Sequence, residues 1–239
     1  MNRRFYITQL AVGQVRLDAR QSRHLRDVLR VGVGQVVELF DDAGKRASAT
    51  VLSTAEVVVL EVKAVEQGTA HAVELAIAAA VPKGQRADWM VEKLSELGVA
   101  QYIPLETARG VVHPESGKLQ RWGRIAEESA KQSRRSGVMR IASPMTVQAV
   151  CAASQWAQAA RWCMTTQEGS SPISEALPQL HGSAAVLTLV GPEGGWTDQE
   201  LELMRDGAFQ MIGLTRTILR IETAAVVLAA VVMTSGGSD

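Results

Sequence analysis

The sequence is poor in cysteine and in aromatic residues, and it has no excess of charge of either sign. Of its 239 residues only two are cysteines, Cys151 and Cys163, and aromatic residues make up 4%. These two cysteines have neither metal-ligand spacing nor a secretory context, so we expect reduced thiols and no metal site. Basic and acidic residues number 25 each, a balance that by itself argues against a nucleic-acid partner.

Long hydrophobic runs are also missing. The longest apolar run, residues 224–233, is about half the length needed to span a bilayer, and it predicts a buried helix instead. Residues 1–6 contain two arginines with no hydrophobic stretch after them, so no signal peptide is expected. Apolar residues still make up 46% of the chain, enough for a well-packed core. We therefore expect a cytoplasmic protein with no membrane segment.

The charges are unevenly distributed along the chain although they cancel overall. Residues 1–30 contain seven arginines against two aspartates, a net charge of +5. Residues 118–140 contain seven basic residues against two glutamates, again +5, so the remainder holds −10. Two basic surfaces on a neutral protein indicate a polyanionic partner such as RNA. For either segment taken alone, a solvated face is the simpler interpretation.

Residues 1–70 have the pattern of a small β-rich domain. Strands are predicted at residues 4–8, 35–40, 46–53 and 56–65. Leu25, Val28 and Leu29 would form the apolar face of a short helix whose other face is arginine. A small barrel that carries a basic helix is a common way to hold RNA. We place the domain boundary in the polar segment at residues 67–71, between residues 70 and 71.

Residues 71–239 alternate between strand and helix patterns. Strands are predicted at residues 72–81, 99–105, 160–165, 184–190 and 207–214, and helices at residues 86–97, at 119–132 and from Glu222 onward. In the first of these helices Trp89, Met90 and Leu94 share the apolar side. Such alternation is typical of a parallel sheet that helices cover on both faces.

Residues 191–195, Gly-Pro-Glu-Gly-Gly, are the most informative segment, and we call them the glycine loop. They join a buried strand to a helix that Thr197 and Glu200 begin as a capping box. Ligands of parallel sheets bind at such strand ends. No Lys follows these glycines and no Gly-x-Gly-x-x-Gly is present, while Glu193 disfavours a phosphate at the helix start. The loop therefore predicts a neutral or cationic ligand, with a ligand-free turn as the alternative.

Three segments together resemble one family, the ribosomal RNA small subunit methyltransferase E group of the SPOUT class. They are residues 82–98, which begin Pro-Lys-Gly, the glycine loop, and residues 218–224, Ile-Leu-Arg-Ile-Glu-Thr-Ala. The likeness covers nearly the whole chain. It implies a PUA-like β-barrel at residues 1–70, followed by an α/β trefoil-knot domain with a parallel sheet at residues 71–239. It also implies a homodimer that binds S-adenosylmethionine and methylates N3 of one uridine in small-subunit (16S) ribosomal RNA, within a ribosomal particle.

The resemblance implies which residues bind the cofactor, while charge and the chemistry of methyl transfer predict the roles of other residues. Those expected to bind the cofactor are Val190, Gly191, Glu193, Gly194, Ile212, Leu214, Ile218, Leu219 and Arg220. Arg220 would in addition stabilise the uracil anion, because its charge persists at any relevant pH. Glu222 would orient Arg220 or take the proton, or would merely complement the dipole of its helix. The basic residues expected to contact RNA are Arg3, Arg4, Arg23, His24, Arg26, Arg30, Arg109 and Arg134.

The chain departs from the usual family pattern at a few positions. Thr215 and Thr217 stand where relatives commonly have Gly and Arg, Ile221 where they usually have Thr, and Gly110 where they usually have Ser. The first two lie in the cofactor-binding segment.

The sequence leaves two other functions open. One is a non-catalytic RNA-binding factor for ribosome assembly that keeps the fold, and the other is an α/β enzyme that acts on a small acidic metabolite.

Overall fold

The structure, a computed structural model, describes residues 3–68, 73–180 and 184–235. The chain divides into two compact units, residues 1–70 with 130–138 and residues 71–129 with 139–239. The boundary predicted between residues 70 and 71 lies outside the described residues. Residues 130–138 belong to the first unit although they follow a long stretch of the second, an arrangement that the sequence did not indicate.

The first unit is built on a mostly antiparallel sheet. Its strands among the described residues are β1 (Arg4–Tyr6), β2 (Gly13–Arg16), β3 (Val36–Phe40), β4 (Lys45–Ser53), β5 (Val59–Val62) and β6 (Glu66–Gln67). The strand order is β1-β3-β4-β5-β2, with β6 also on β4 and with β1 parallel to β3. The strand predicted at residues 56–65 is confirmed as β5, which is shorter than predicted, Val59–Val62. Both β5 and β6 pair with β4, but residues 63–65 interrupt the pairing between them.

A helix, α1 (Ala19–Arg23), continues as a π-helical turn at His24–Val28. The Leu29 amide donates to the His24 carbonyl at 3.0 Å, a bond that reaches back five residues instead of four. This wider turn shifts the register of the side chains. Leu25 is fully buried, but Val28 is 56% exposed, so the predicted apolar face of Leu25, Val28 and Leu29 is wrong at Val28.

The second unit is built on a parallel sheet. Its strands among the described residues are β7 (Glu74–Ala80), β8 (Gln101–Glu106), β9 (Arg140–Ile141), β10 (Met145–Thr146), β11 (Ala160–Met164), β12 (Ser171–Pro172), β13 (Ala185–Val190) and β14 (Gln210–Gly213). The order is β10-β8-β7-β13-β11-β14-β12, with β9 on β8. Each recorded strand pair is parallel, which confirms the predicted sheet and fold class. The strand predicted at residues 207–214 begins only at Gln210, because Gly207 is the C-cap of the preceding helix.

The remaining helices follow the predicted alternation. They are α2 (Gln85–Glu96), α3 (Ser116–Gln132), α4 (Val147–Ala152), α5 (Ile173–Ala176), α6 (Asp198–Asp206) and α7 (Ile221–Ser235), with 3-10 turns at Ser154–Trp156 and Leu177–Leu180. The predicted capping box of α6 is confirmed, since Thr197 and Glu200 bond each other's backbone amides. The apolar side predicted for α2 is wrong at Trp89, which is 45% exposed because Met90, Val91 and Leu94 form the buried side.

Each unit has its own core. In the second unit α4 and α6 pack on one face of the sheet against alternate residues of β13, Leu187 and Leu189. Helix α7 contacts β7 and β13 and packs against α2, and so covers the opposite face. Cys151 and Cys163 are free thiols, as predicted, and burial raises the pKa of the Cys163 thiol to about 12. Within the described residues, every helix is too short or too polar to cross a bilayer.

Candidate functional site

A cavity of about 360 Å³ lies in the second unit, at the carboxyl ends of three neighbouring strands, β13, β11 and β14. The loops that follow these strands form its walls. The lining consists of residues 164–167, 190–196, 214, 215, 217–219, 221 and 224. Carboxyl ends of adjacent parallel strands are where ligands bind in open α/β sheets, and the volume suits a small organic molecule.

Trp196 fixes the shape of the glycine loop. Its indole Nε1 donates to the Met164 carbonyl at 2.9 Å, which ties the loop after β13 to the end of β11. The indole ring packs directly on Gly191, where a Cβ atom would lie 2.8 Å from the ring. Gly195 then turns the chain with a φ of +71°, a conformation that favours glycine. The sequence reasoning missed Trp196, although a tryptophan beside a glycine loop is itself a signal of close packing.

Replacing Gly191 by alanine is expected to lower the free energy of unfolding by about 1–3 kcal/mol, because the new methyl group must displace the Trp196 ring. Urea denaturation measures this loss. Gly123→Ala is the matched control, since its Cβ would meet open space within helix α3. Equal stability of Gly191→Ala and the unmodified protein would mean that the Trp196 ring does not hold the loop.

The loop after β14 forms the opposite wall of the cavity. The Thr215 hydroxyl donates to the Thr217 carbonyl at 2.7 Å, so these two threonines close a turn of their own. Leu214 and Leu219 line the cavity beside them. Ile218 also lines it, yet 85% of its surface is exposed. An apolar side chain so exposed at the rim of a cavity is available to cover a ligand.

Arg220 and Glu222 lie where this loop enters helix α7. Arg220 is exposed, and its carbonyl accepts the Ala224 amide at 2.8 Å in the first turn. Glu222 is only 6% exposed, and its Oε1 accepts a hydrogen bond of 3.4 Å from Arg86 Nη1. Its Oε2 is buried without a hydrogen-bond partner among the described residues. The Glu222 carboxylate is therefore bonded to Arg86 in the structure, and not to Arg220.

A fourth loop, after β8, supports the glycine loop from outside the cavity. Arg109 Nη1 donates to the carbonyls of Gly194 at 2.7 Å and Trp196 at 3.3 Å. Next to it, the Ala108 amide donates to Glu200 Oε1 at 2.8 Å. Arg109 was expected to contact RNA, but its bonds in the structure are to the glycine loop.

Most of the residues predicted to bind the cofactor meet at the cavity. Those that line it are Val190, Gly191, Glu193, Gly194, Leu214, Ile218 and Leu219. Ile212 does not, because it is fully buried within β14 opposite Met164, and Arg220 lies between two lining residues without lining the cavity itself. The sequence reasoning missed the wall at residues 164–167, because the sequence does not show that β11 lies beside β13 and β14 in the sheet.

The prediction that Arg4 contacts RNA is wrong. Arg4 is 4% exposed, its Nη1 donates to the Ala130 carbonyl at 3.2 Å, and its Nε lies 3.1 Å from Glu38 Oε1. Its guanidinium also stacks 4.1 Å from the centroid of the Phe40 ring. Burial lowers the pKa of this guanidinium, which Glu38 partly offsets. Arg4 therefore stabilises the core of the first unit and is not available to a polyanion.

The other predicted basic residues of the first unit are more accessible. Those that are exposed are Arg3, Arg23, His24, Arg30 and Arg134. Arg26 is half-buried, and its guanidinium already binds Asp27 and the Ala55 carbonyl. Within the described part of the chain no group of three His, Cys, Asp or Glu side chains is arranged to hold a metal ion.

Two family models match the chain. Residues 69–233 match an RNA methyltransferase domain, and residues 17–60 match the PUA domain of RNA methyltransferases. The first match covers the whole cavity, and the second lies within the first unit.

Known proteins match the chain over most of its length. The ribosomal RNA small subunit methyltransferase E of Synechocystis is 32% identical over 93% of this chain and 73% of its own length. That of Bacillus subtilis is 29% identical over 87% of this chain and 85% of its own length. The crystal structure of the Neisseria gonorrhoeae enzyme of that name, bound to S-adenosyl methionine, is 28% identical with a TM-score of 0.85. That superposition covers 98% of each chain.

Proposed function

The chain belongs to the ribosomal RNA small subunit methyltransferase E family, and from this membership and the cavity we propose that it methylates N3 of one uridine in small-subunit ribosomal RNA. Membership makes it an S-adenosylmethionine-dependent ribosomal RNA methyltransferase, and the uridine and its N3 atom are our proposal. We further propose that it acts in the cytoplasm on ribosomal RNA within a ribosomal particle. The observation that carries the proposal is the cavity at the ends of β13, β11 and β14.

The residues around the cavity fit S-adenosylmethionine. Three loops present backbone groups to it, Leu214 and Leu219 give it apolar surface, and Glu193 gives it a carboxylate. A neutral adenosine and a cationic sulfonium suit such a lining better than a phosphate does. We propose that the seven lining residues predicted from the sequence hold this cofactor. When bound, it supplies an electrophilic methyl group.

The chain's own residues would prepare the uracil. Its N3 atom carries a proton at neutral pH, so that proton must leave before the nitrogen can accept a methyl group. We assign the proton to the carboxylate of Glu222, which follows the lining residue Ile221 without lining the cavity itself, and whose buried Oε2 has no hydrogen-bond partner among the described residues. Arg220, exposed beside the cavity, would stabilise the negative charge that develops on the uracil. Exclusion of water by the surrounding loops would strengthen both interactions.

The first unit supplies the surface that we propose for RNA. Arg23, His24 and Arg30 are exposed around the π-helical turn, a feature that often occurs at functional sites. Arg3 and Arg134 are exposed in the same unit. Because phosphate contacts release counterions, RNA binding through such residues should weaken steeply with salt. Binding that is insensitive to salt would favour an enzyme of small acidic metabolites.

The proposed function is tested with ribosomal RNA and small subunits from cells that lack this protein. We expect methyl transfer from labelled S-adenosylmethionine to one uridine, identified by mass mapping of nucleotides. Methylation of another base or atom would overturn the proposed specificity. Absence of cofactor binding by calorimetry at millimolar concentration would instead favour the ribosome-assembly factor.

We also propose that the protein is a homodimer whose interface includes helix α7. One side of α7 is buried in its own chain, while apolar residues on the other sides are only half-buried. The half-buried apolar residues are Val226, Val227, Ala230, Val231 and Met233. A helix that is apolar on all sides needs cover, and a second copy of the chain would provide it.

Val231→Glu is expected to convert the dimer to a monomer at micromolar concentration, because the interface would have to bury an unpaired charge. Sedimentation velocity measures the change, and circular dichroism checks that the variant is folded. Gln199→Glu is the control, since Gln199 is exposed and lies in α6, outside helix α7. A monomeric unmodified protein, or a dimeric folded Val231→Glu variant, would contradict this interface.

A further inference from the structure

Arg109 binds the glycine loop through two of its carbonyl groups. Its Nη1 donates to Gly194 at 2.7 Å and to Trp196 at 3.3 Å, so one guanidinium nitrogen bridges both ends of the turn that contains Gly195. Hydrogen bonds from a charged donor are roughly twice as strong as neutral ones. Arg109 itself does not line the cavity. Any effect it has on a ligand there must therefore act through the loop.

The aliphatic part of Arg109 is also packed against the loop. A Cβ atom on Gly194 would lie 3.3 Å from both Cβ and Cδ of Arg109. The neighbouring residue, Ala108, donates its amide to Glu200 Oε1, while Glu200 Oε2 accepts from the amide of Thr197 at 2.9 Å. Two consecutive residues after β8 thus hold the glycine loop and the start of α6.

Such a tether matters because of what the glycine loop is made of. Three of its five residues are glycines, which lose more conformational freedom on ordering than any other residue. A loop that is ordered before its ligand arrives binds more tightly, since less entropy is lost on binding. The contacts of Arg109 with the glycine loop therefore explain an arginine at this position without any contact to RNA.

We propose that Arg109 is a positioning residue that holds the glycine loop in its ligand-binding shape, and that its loss weakens binding of S-adenosylmethionine rather than of RNA. The part that names the ligand rests on the proposed function. The tether itself does not, because it concerns the order of residues 191–196 in the protein without ligand.

The test uses Arg109→Ala and Arg109→Lys in the full chain, with Arg205→Ala as the control. Arg205 is an exposed arginine of α6, in the same unit, and does not line the cavity. In ligand-free protein, amide hydrogen exchange of residues 191–196 should become at least tenfold faster in Arg109→Ala and stay unchanged in Arg205→Ala. Arg109→Lys should fall between them, because its ammonium keeps the charge but lies one atom closer to the backbone than the Nη1 that reaches both carbonyls.

Calorimetry then measures the binding of S-adenosylmethionine, and filter binding measures the binding of RNA. The dissociation constant for S-adenosylmethionine should rise about tenfold in Arg109→Ala, with RNA affinity unchanged. In turnover assays the cofactor KM should rise while kcat at saturating cofactor is retained. Weaker RNA binding with unchanged exchange and cofactor affinity would overturn the proposal and make Arg109 a phosphate contact. If the unmodified protein does not bind S-adenosylmethionine, the proposed function fails, whereas the exchange rates still decide whether Arg109 is a tether.

Discussion

Replacing Arg220 by alanine is expected to lower the rate of methyl transfer to RNA by about 10²–10³-fold, the usual cost of removing one group that stabilises a developing anion. The side chain is exposed between Leu219 and Ile221, both of which line the cavity. Neither an ion pair nor a hydrogen bond within the described residues occupies its guanidinium. It is therefore free to meet the uracil. Single-turnover kinetics with saturating cofactor measure the loss.

The fold should survive this change, because the contact that Arg220 makes to helix α7 comes from its backbone carbonyl. Thermal unfolding of Arg220→Ala is thus expected to match that of the unmodified protein. Arg216→Ala is the matched control, since Arg216 is exposed in the same loop but does not line the cavity. Full activity of Arg220→Ala would remove Arg220 from the mechanism. An equal loss in Arg216→Ala would mean that the rate of methyl transfer depends on the total positive charge of the loop and not on Arg220 in particular.

The fold could be predicted from the sequence to a large extent, because its strongest signals are local. Continuous apolar runs such as residues 184–190 indicated strands buried on both faces, and these strands are parallel in the structure. The capping box of Thr197 and Glu200 depends on four consecutive residues and is present as predicted. The π-helical turn at His24–Val28 carries no comparable pattern, and it reversed the expected position of Val28.

Errors about individual side chains arose where burial depends on distant parts of the chain. Arg4 is buried because residues 130–138 belong to the first unit and Ala130 accepts its hydrogen bond, which nothing near Arg4 in sequence indicates. Trp89 is exposed because α2 turns Met90 and Leu94, and not Trp89, into the core. Arginine count and apolar spacing describe a surface in general, but they do not tell which member of a group faces a neighbouring element.

The candidate site could be predicted only in part, because some of its residues are brought together by the packing of distant strands and helices. The glycine loop is indicated by its motif, and Leu214, Ile218 and Leu219 by the family resemblance, and all of them line the cavity. The wall at residues 164–167 required the knowledge that β11 lies between β13 and β14, and strand order is not written in local sequence. The sequence does not indicate the pair of Arg86 and Glu222, because the two residues are 136 positions apart in the chain. They meet only when helices α2 and α7 pack together.

The Arg86–Glu222 pair leads to the second prediction. Glu222→Gln is expected to lower methyl transfer by about 10²–10⁴-fold, the usual contribution of a general base. The amide keeps the shape of the carboxylate and can still accept from Arg86, but it cannot take a proton from the uracil. Its buried Oε2 has no partner among the described residues, and leaving such an acceptor unsatisfied costs about 1–3 kcal/mol. A group kept at that cost is expected to gain a donor when substrate binds.

Two other roles for Glu222 make different predictions for the same variant. A carboxylate that only complements the dipole of α7 would cost about 0.3–1 kcal/mol of stability on replacement and leave kcat intact. One that only holds Arg86 in place would make Arg86→Ala the more severe change, because the amide of Glu222→Gln can still accept from Arg86. A proton acceptor instead makes Glu222→Gln the more severe change. Glu202→Gln, at an exposed position of α6, controls for the loss of one negative charge. Retained turnover in Glu222→Gln with unchanged cofactor affinity would exclude Glu222 as the base, because a carboxamide cannot replace a carboxylate in proton transfer.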